Sequence, residues 1–400
     1  KPVGTSSSPS VRYELAGSLH PDLNVRPRLT VRYLVLPTPQ PTVTLPPTTP
    51  TPTATTAPAT PTMTATTTAT PTATWTPSAA WWSTSYTYRR RLTVQAGDDG
   101  VAAGYSVSLT LDTGDLILAG KLRADLHDWR IVAWNGWTWA EIHRDVVGPA
   151  ETWFALQRPI AAASHDDLYY VYYGNPDEQG EPLADKNGVY AFYDDFDWYD
   201  AGKWPWPMPS GVEVGGGVIT VTAWNPSGGP ADSCPGAYDC MLSRQTFGVG
   251  YQVEHRAQHP DYVYGKRHDA DQGFSDDGHT NEVKMRSYNV GQFQRVNRDG
   301  MASVVMQCCQ PADTAWHTFR VTRLPGSALF QIDDSAVEAS TTHLPLMALP
   351  VHIRAYSEEP FEAVRNVVDW VKVRAIVASE PIVTWGREEQ AEFRAPWSDR

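Results

Sequence analysis

Apolar and polar residues alternate with a period of two along most of this chain. In RLTVRYLVL (28–36), Leu29, Val31, Tyr33 and Val35 alternate with Thr30, Arg32 and Leu34, and a shorter run, VRYEL, stands at 11–15. From Trp81 the runs follow one another as YTYRRRLTV, YSVSLTLDT, LRADLHDWRIVAW, WTWAEIHRDV, TWFALQRPI and DLYYVYYGN. After residue 190 come GGGVITVTA, GYQVEHRAQ, NEVKMRSY, WHTFRVTRLPGSALFQIDDS, LPVHIRAYS and VVDWVKVRAI. A two-residue period puts successive side chains on opposite faces, which predicts β-strands, and the intervening GDDG, NGW and GNPDE are turn sequences. No long stretch has helical periodicity. The expected fold is all-β, with two β-sandwich domains at 81–189 and 190–378, a strand-forming segment at 1–36 and a C-terminal tail at 379–400.

The alternation stops between residues 37 and 80, where Thr and Pro dominate and 41–78 contains no charge. Proline holds φ near its polyproline value, so this composition predicts an extended, semi-rigid spacer. Thr/Pro-rich segments are acceptors of O-linked sugar in secreted proteins, and Thr48, Thr49, Thr55, Thr56, Thr66, Thr67 and Thr68 are the expected positions. Two strands alone are marginal in water, so 11–36 must find a sheet elsewhere.

The formal net charge of -13 argues against a nucleic-acid partner, which needs a clustered basic face. No stretch is apolar for the eighteen or more residues of a membrane-spanning helix. The four cysteines, Cys234, Cys240, Cys308 and Cys309, lack zinc-ligand spacing. Disulfides are expected, with Cys234 or Cys240 joined to the Cys308–Cys309 pair rather than a vicinal bridge. Together with the Thr/Pro segment they predict a secreted, extracellular or cell-surface protein.

YTYRRRLTV, LRADLHDW and LYYVYYGNP, in that order, resemble the bacterial secreted module known as domain of unknown function 2341, which brings no known chemistry. The following YAFYDDFDWYDAGKW, with WHTFRV, the IDD turn and VDWVKV, is similar to the concanavalin A-like lectin and glucanase superfamily, including its LamG-like members. That resemblance implies a jelly roll over 190–378. It also implies a structural calcium where the first and last strands meet, for which Asp195, Asp197 and Asp369 offer hard oxygen ligands.

The superfamily includes glycoside hydrolase family 16, whose active strand carries carboxylates at alternate positions. The nearest stretch here is Glu282-Val283-Lys284-Met285-Arg286, where cations stand in place of the central Asp and the acid. A cation cannot protonate a leaving oxygen as a raised-pKa Glu does. Asp276 and Asp277 read as a turn, and His255 and His259 as ordinary histidines. No enzymatic activity is expected on these grounds. Of the tryptophans, Trp137 and Trp206 stand beside turn residues and are the candidates for glycan stacking.

The sequence thus predicts a non-catalytic structural protein, a subunit of a cell-surface assembly or filament. Its Leu29, Val31, Tyr33 and Val35 strand is donated to another copy of itself or to another surface protein. A stalked carbohydrate-binding adhesion protein is the alternative, and a glycoside hydrolase the least favoured reading.

Overall fold

The structure is a computed structural model that describes residues 10–14, 28–32, 80–225 and 240–391. Tyr33, Val35, Cys234 and the seven threonines named above lie outside the described residues.

Strands β1 (Ser10–Glu14) and β2 (Arg28–Arg32) pair with each other, antiparallel, with Val11 opposite Val31 and Tyr13 opposite Leu29. They form a two-stranded sheet to which no other described strand is added.

The first sandwich contains β3 (Tyr88–Gln95), β4 (Ser106–Thr110), a short helix α1 (Thr113–Leu118), β5 (Arg130–Trp134), β6 (Trp139–Glu141), β7 (Arg144–Val147), β8 (Glu151–Ala155) and β9 (His165–Tyr173). The alternation in β3 turns Leu92 and Val94 inward, where they meet Val107, Leu109, Ile131, Phe154, Val171 and the fully buried Trp129. β9 is buried on both faces. Tyr169, Val171 and Tyr173 enter the core, while Tyr170 and Tyr172 join Tyr86, Trp81, Trp82 and Trp139 in a second aromatic layer.

The jelly roll follows, with β10 (Phe192–Asp194), β11 (Val212–Val214), β12 (Ile219–Trp224), β13 (Cys240–Phe247), β14 (Tyr251–Gln258), β15 (His268–Ser275), β16 (Asn281–Ser287), β17 (Gln292–Asp299), β18 (Ala302–Pro311), β19 (Trp316–Leu324), β20 (Ser327–Ile332), β21 (Glu338–Ser340), β22 (Leu349–Ser357) and β23 (Ala363–Ala375). One sheet runs β11-β12-β23-β14-β19-β20-β21, with β10 also on β23, and the other runs β13-β22-β15-β16-β17-β18. Met241, Phe274, Val283, Met285, Val351 and Ile353 of the second sheet pack against Val253, Phe319, Val321, Val371 and Val373 of the first. Every second residue of the six-stranded sheet therefore points away from that core.

The expected C-terminal tail is instead a strand, β24 (Ile382–Gln390), at the edge of the first sandwich. The five-stranded sheet there runs β24-β3-β9-β5-β6 and the three-stranded sheet β4-β8-β7. Charge fixes the pairing: Arg89 Nε donates to Glu389 Oε2 at 2.8 Å, and Tyr173 OH donates to Glu388 Oε2 at 2.8 Å. Lys121 also pairs with Glu388, and Trp385 Nε1 donates to the Thr110 carbonyl at 3.1 Å. The jelly roll is thus an insertion between β9 and β24. Tyr190 OH, buried where the two sandwiches meet, donates to Asp145 Oδ2 at 2.8 Å, and Tyr105 OH donates to Glu380 Oε2 at 2.6 Å.

Candidate functional site

Three adjacent strands present a set of ionisable side chains on the outer face of the six-stranded sheet. β15 contributes Asp269 and Asp271, β16 contributes Glu282, Lys284 and Arg286, and β22 contributes His352 and Arg354. The register stacks Asp271 between Arg286 and Arg354, and Gly273 between Lys284 and His352. Their sequence neighbours Ala270, Phe274, Val283, Met285 and Ile353 face the core, so alternation alone delivers this set outward. Gly273 is required here. A Cβ at that position would lie 2.6 Å from the Lys284 Cα, and its φ of +149° disfavours any side chain.

Lys284 joins the carboxylates. Its ammonium donates to Asp271 Oδ2 at 2.6 Å and pairs with Glu282. Arg286 Nη1 donates to Asp269 Oδ2 at 2.9 Å, and Arg298 Nε lies 3.3 Å from Glu282 Oε1. His279, in the turn before β16, sets its ring 5.1 Å from that of His352 and its Nδ1 3.6 Å from Glu282 Oε2. Asp269, Asp271, Glu282, Lys284 and His352 are all buried. Despite that, Asp269 Oδ1, Asp271 Oδ1 and both ring nitrogens of His352 have no hydrogen-bond partner. His352 Nδ1 approaches Asp271 Oδ1 only to 3.5 Å.

The carboxyls are driven apart in acidity. Burial pushes the Asp269 carboxyl up, and the Asp271 charge adds to this while Arg286 opposes it. Burial acts on Asp271 in the same direction, but the Lys284 ammonium and the Arg354 guanidinium outweigh it and hold Asp271 well below the usual carboxylate range. Glu282 is likewise held low by Lys284 and His279 against its own burial. Burial keeps His352 neutral, far below its ordinary pKa. A carboxyl made less acidic by burial beside carboxyls made more acidic is the electrostatic arrangement of an acid and a base or nucleophile.

Asp269, Asp271 and His352 were not singled out by the sequence reading. Their signal was the alternating D-A-D of HDADQGFS, which becomes informative only once β15 is known to lie beside NEVKMRS. The other expected sites do not join this face. Trp137 is 91% exposed and Trp206 68% exposed, whereas Trp134 and Trp139 pack together and Trp129 and Trp204 are buried. Trp198, also exposed, was missed.

Asp195 and Asp197 line a cavity of about 520 Å³ together with Trp198, Asp200 and Lys203. Asp369 is instead engaged by Arg256, its Oδ2 lying 2.9 Å from the Arg256 Nε. The three acids expected to hold calcium are therefore not gathered into one ligand set. Among the described residues, the group of three ligand-type side chains whose atoms all lie within 4.8 Å of one another is Cys308, Cys309 and Glu338. Cys308 and Cys309 form a vicinal disulfide, which corrects the pairing expected with Cys234 or Cys240. His255 and His259 lie inside the jelly-roll core, where His259 Nε2 meets Gln272 Oε1 at 3.0 Å.

No family model matches the chain, so its resemblance to domain of unknown function 2341 has no such support, and no curated protein matches it. Solved structures do. In fold, this chain is similar to glycoside hydrolases. A β-1,3-1,4-glucanase (lichenase) derived from a mouse hindgut metagenome is 15% identical, with a TM-score of 0.34, over 46% of this chain and 99% of that one. A glycosyl hydrolase family 16 protein from Mycobacterium smegmatis is 18% identical, with a TM-score of 0.34, over 46% of this chain and all of that one. A Bacillus licheniformis β-glucanase is 14% identical, with a TM-score of 0.34, over 46% of this chain and 97% of that one. At these identities the likeness concerns fold alone.

The expectation that the chain is not an enzyme is corrected; the structures it is similar to are named as hydrolytic enzymes, which is said of those proteins. Its physical premise also fails. Lys284 and Arg286 remove carboxylates from one strand only, while Asp269 and Asp271 on the next strand bring carboxyls to the same face.

Proposed function

We propose that the jelly roll is a carbohydrate-active domain that takes a glycan on the outer face of the six-stranded sheet and hydrolyses a glycosidic bond there. The observation that carries this reading is the set of buried, unpartnered polar atoms on Asp269, Asp271 and His352. Each unsatisfied group costs about 1–3 kcal/mol, and sugar hydroxyls, which donate and accept, would satisfy them once the side chains that close over these buried atoms part. Asp269, made a weaker acid by burial, is the general acid, and Asp271, held low by Lys284, is its carboxylate counterpart. The test is release of reducing ends from a panel of neutral and acidic polysaccharides. Wild-type protein should release them from at least one substrate, and Asp269→Asn should lower that rate by at least about 100-fold. Equal rates for both proteins, or none on any substrate, would reject the assignment.

A second reading concerns the amino-terminal strands. We propose that β1 and β2 are donated to another copy at the surface of the cell that secretes the protein. Its support is that β1 and β2 pair only with each other among the described strands, and a lone two-stranded sheet is marginal in water. Strand addition would supply main-chain hydrogen bonds and a sheet to join. Light scattering of the full chain against concentration tests this: mass should rise with concentration, and a constant monomer mass rejects it.

A further inference from the structure

We infer that β18, the outer strand of the six-stranded sheet, is the edge that receives β2 of a neighbouring copy; this rests on the strand-donation reading above. Among the described residues β18 pairs only with β17, which leaves its other side open. Soluble proteins guard such edges with charged residues, proline or bulges. The segment Ala302-Ser303-Val304-Val305-Met306-Gln307 has neither charge nor proline. Its register against β17 is continuous from Ala302 to Gln307, and the irregularity comes only beyond. Val305 is 41% exposed, Met306 49%, and Met301 at the turn is fully exposed. An apolar, flat, unguarded edge of this kind is a template for another strand.

Charge and chain length select the occupant. Residues 1–80 hold five cations (Lys1, Arg12, Arg26, Arg28, Arg32) against Glu14 and Asp22, a net +3. The whole chain is -13, so residues 81–400 carry -16. A basic strand is drawn to this acidic body, whereas a second uncharged β18 has no such attraction. β2 presents apolar residues two apart, Leu29 and Val31, and β18 offers Val304 and Met306 at the same interval. The Thr/Pro sequence between residue 33 and residue 79 can span on the order of 100 Å, enough to reach a neighbour. β2 uses one edge to pair with β1, and its free edge would meet β18, lengthening the sheet by two strands.

The experiment is complementation between two full-length variants, read by light scattering after size-exclusion chromatography. Val305→Lys blocks the acceptor edge, and Leu29→Asp with Val31→Asp blocks the donor. Each alone should self-associate at least about tenfold more weakly than wild type, and an equimolar mixture should form a heterodimer, since one variant keeps a donor and the other an acceptor. Ser303→Lys, at an exposed position of the same edge, repeats the acceptor test if Val305→Lys melts early. Wild-type association in both lysine variants would place the acceptor elsewhere and overturn this inference while leaving strand donation standing. Absence of a heterodimer would overturn it as well. A wild-type chain that stays monomeric would remove strand donation itself, and this inference with it.

Discussion

Lys284 fixes the charge state of the outer face, because its ammonium touches both Asp271 and Glu282 while being buried itself. Removing one member of such a network leaves the others charged without compensation. Lys284→Met should therefore lower stability by about 3–5 kcal/mol, measured as a fall in the denaturant midpoint. It should also raise the pKa values of Asp271 and Glu282 toward the ordinary carboxylate range or above, visible in the carboxyl titration by NMR.

Three histidines make a separable statement about pH. Burial lowers His255 to about 3 and His259 to about 4, and pushes His352 well below its ordinary value. Unfolded histidine takes up its proton near pH 6.5, so between that value and the folded pKa the unfolded chain binds more protons. Their contribution to stability is complete above about pH 6.5 and is lost progressively as the pH falls below it. Asp271 and Glu282, depressed in the fold, add a further loss below about pH 4, which the raised Asp269 partly offsets. Melting temperature measured across pH should be flat near neutrality and decline from about pH 6.5 downward. In His255→Phe, the early part of that decline should shrink.

At the scale of elements, Gly273 leaves no room for a side chain between β15 and β16. Gly273→Ala would drive a methyl group into the Lys284 backbone and should cost on the order of 1–3 kcal/mol, with the larger loss in any activity of the face. β24 offers the complementary test. Replacing Glu388 and Glu389 by Ala removes the partners of Arg89, Arg90 and Lys121. Hydrogen exchange should then rise in β24 and along the β3 edge it covers, while β15 and β16 stay protected.

These two elements also mark what the sequence could convey. Two-residue alternation and turn residues were sufficient for most strands of both sandwiches, because each strand carries its own core-facing set, as Leu92 and Val94 do. β24 has too few apolar residues to announce itself, and its identity lies in a pairing with Arg89 and Arg90 some 300 positions away. The candidate site was half legible for the same reason. Glu282, Lys284 and Arg286 share a strand, but Asp269, Asp271 and His352 reach them only across the sheet. Vicinal Cys308 and Cys309 were set aside on general strain, and in the structure they are joined.

At the scale of the whole molecule, the two sandwiches are arranged as host and insert. The first is begun by β3 and completed by β24, and everything of the jelly roll lies between. Tyr105 and Arg374 both meet Glu380, just before the chain returns to the first sandwich. The separation of charge is equally coarse, with the basic excess confined to the first 80 residues and the acidic excess to the rest.

The register of β24 on β3 has a mechanical meaning. Tyr88 stands opposite Gln390, so the polypeptide enters the first sandwich and leaves it at neighbouring points. A pull between whatever lies on either side would open this strand pair from that end, one rung at a time, in the manner of a zipper rather than by sliding. The inserted jelly roll would lie outside the load path and feel little tension until β24 had come away. Stretching single molecules by their two ends should thus show a low-force release of β24 ahead of any larger rupture, and a glycan held on the six-stranded sheet would remain in place through that first event.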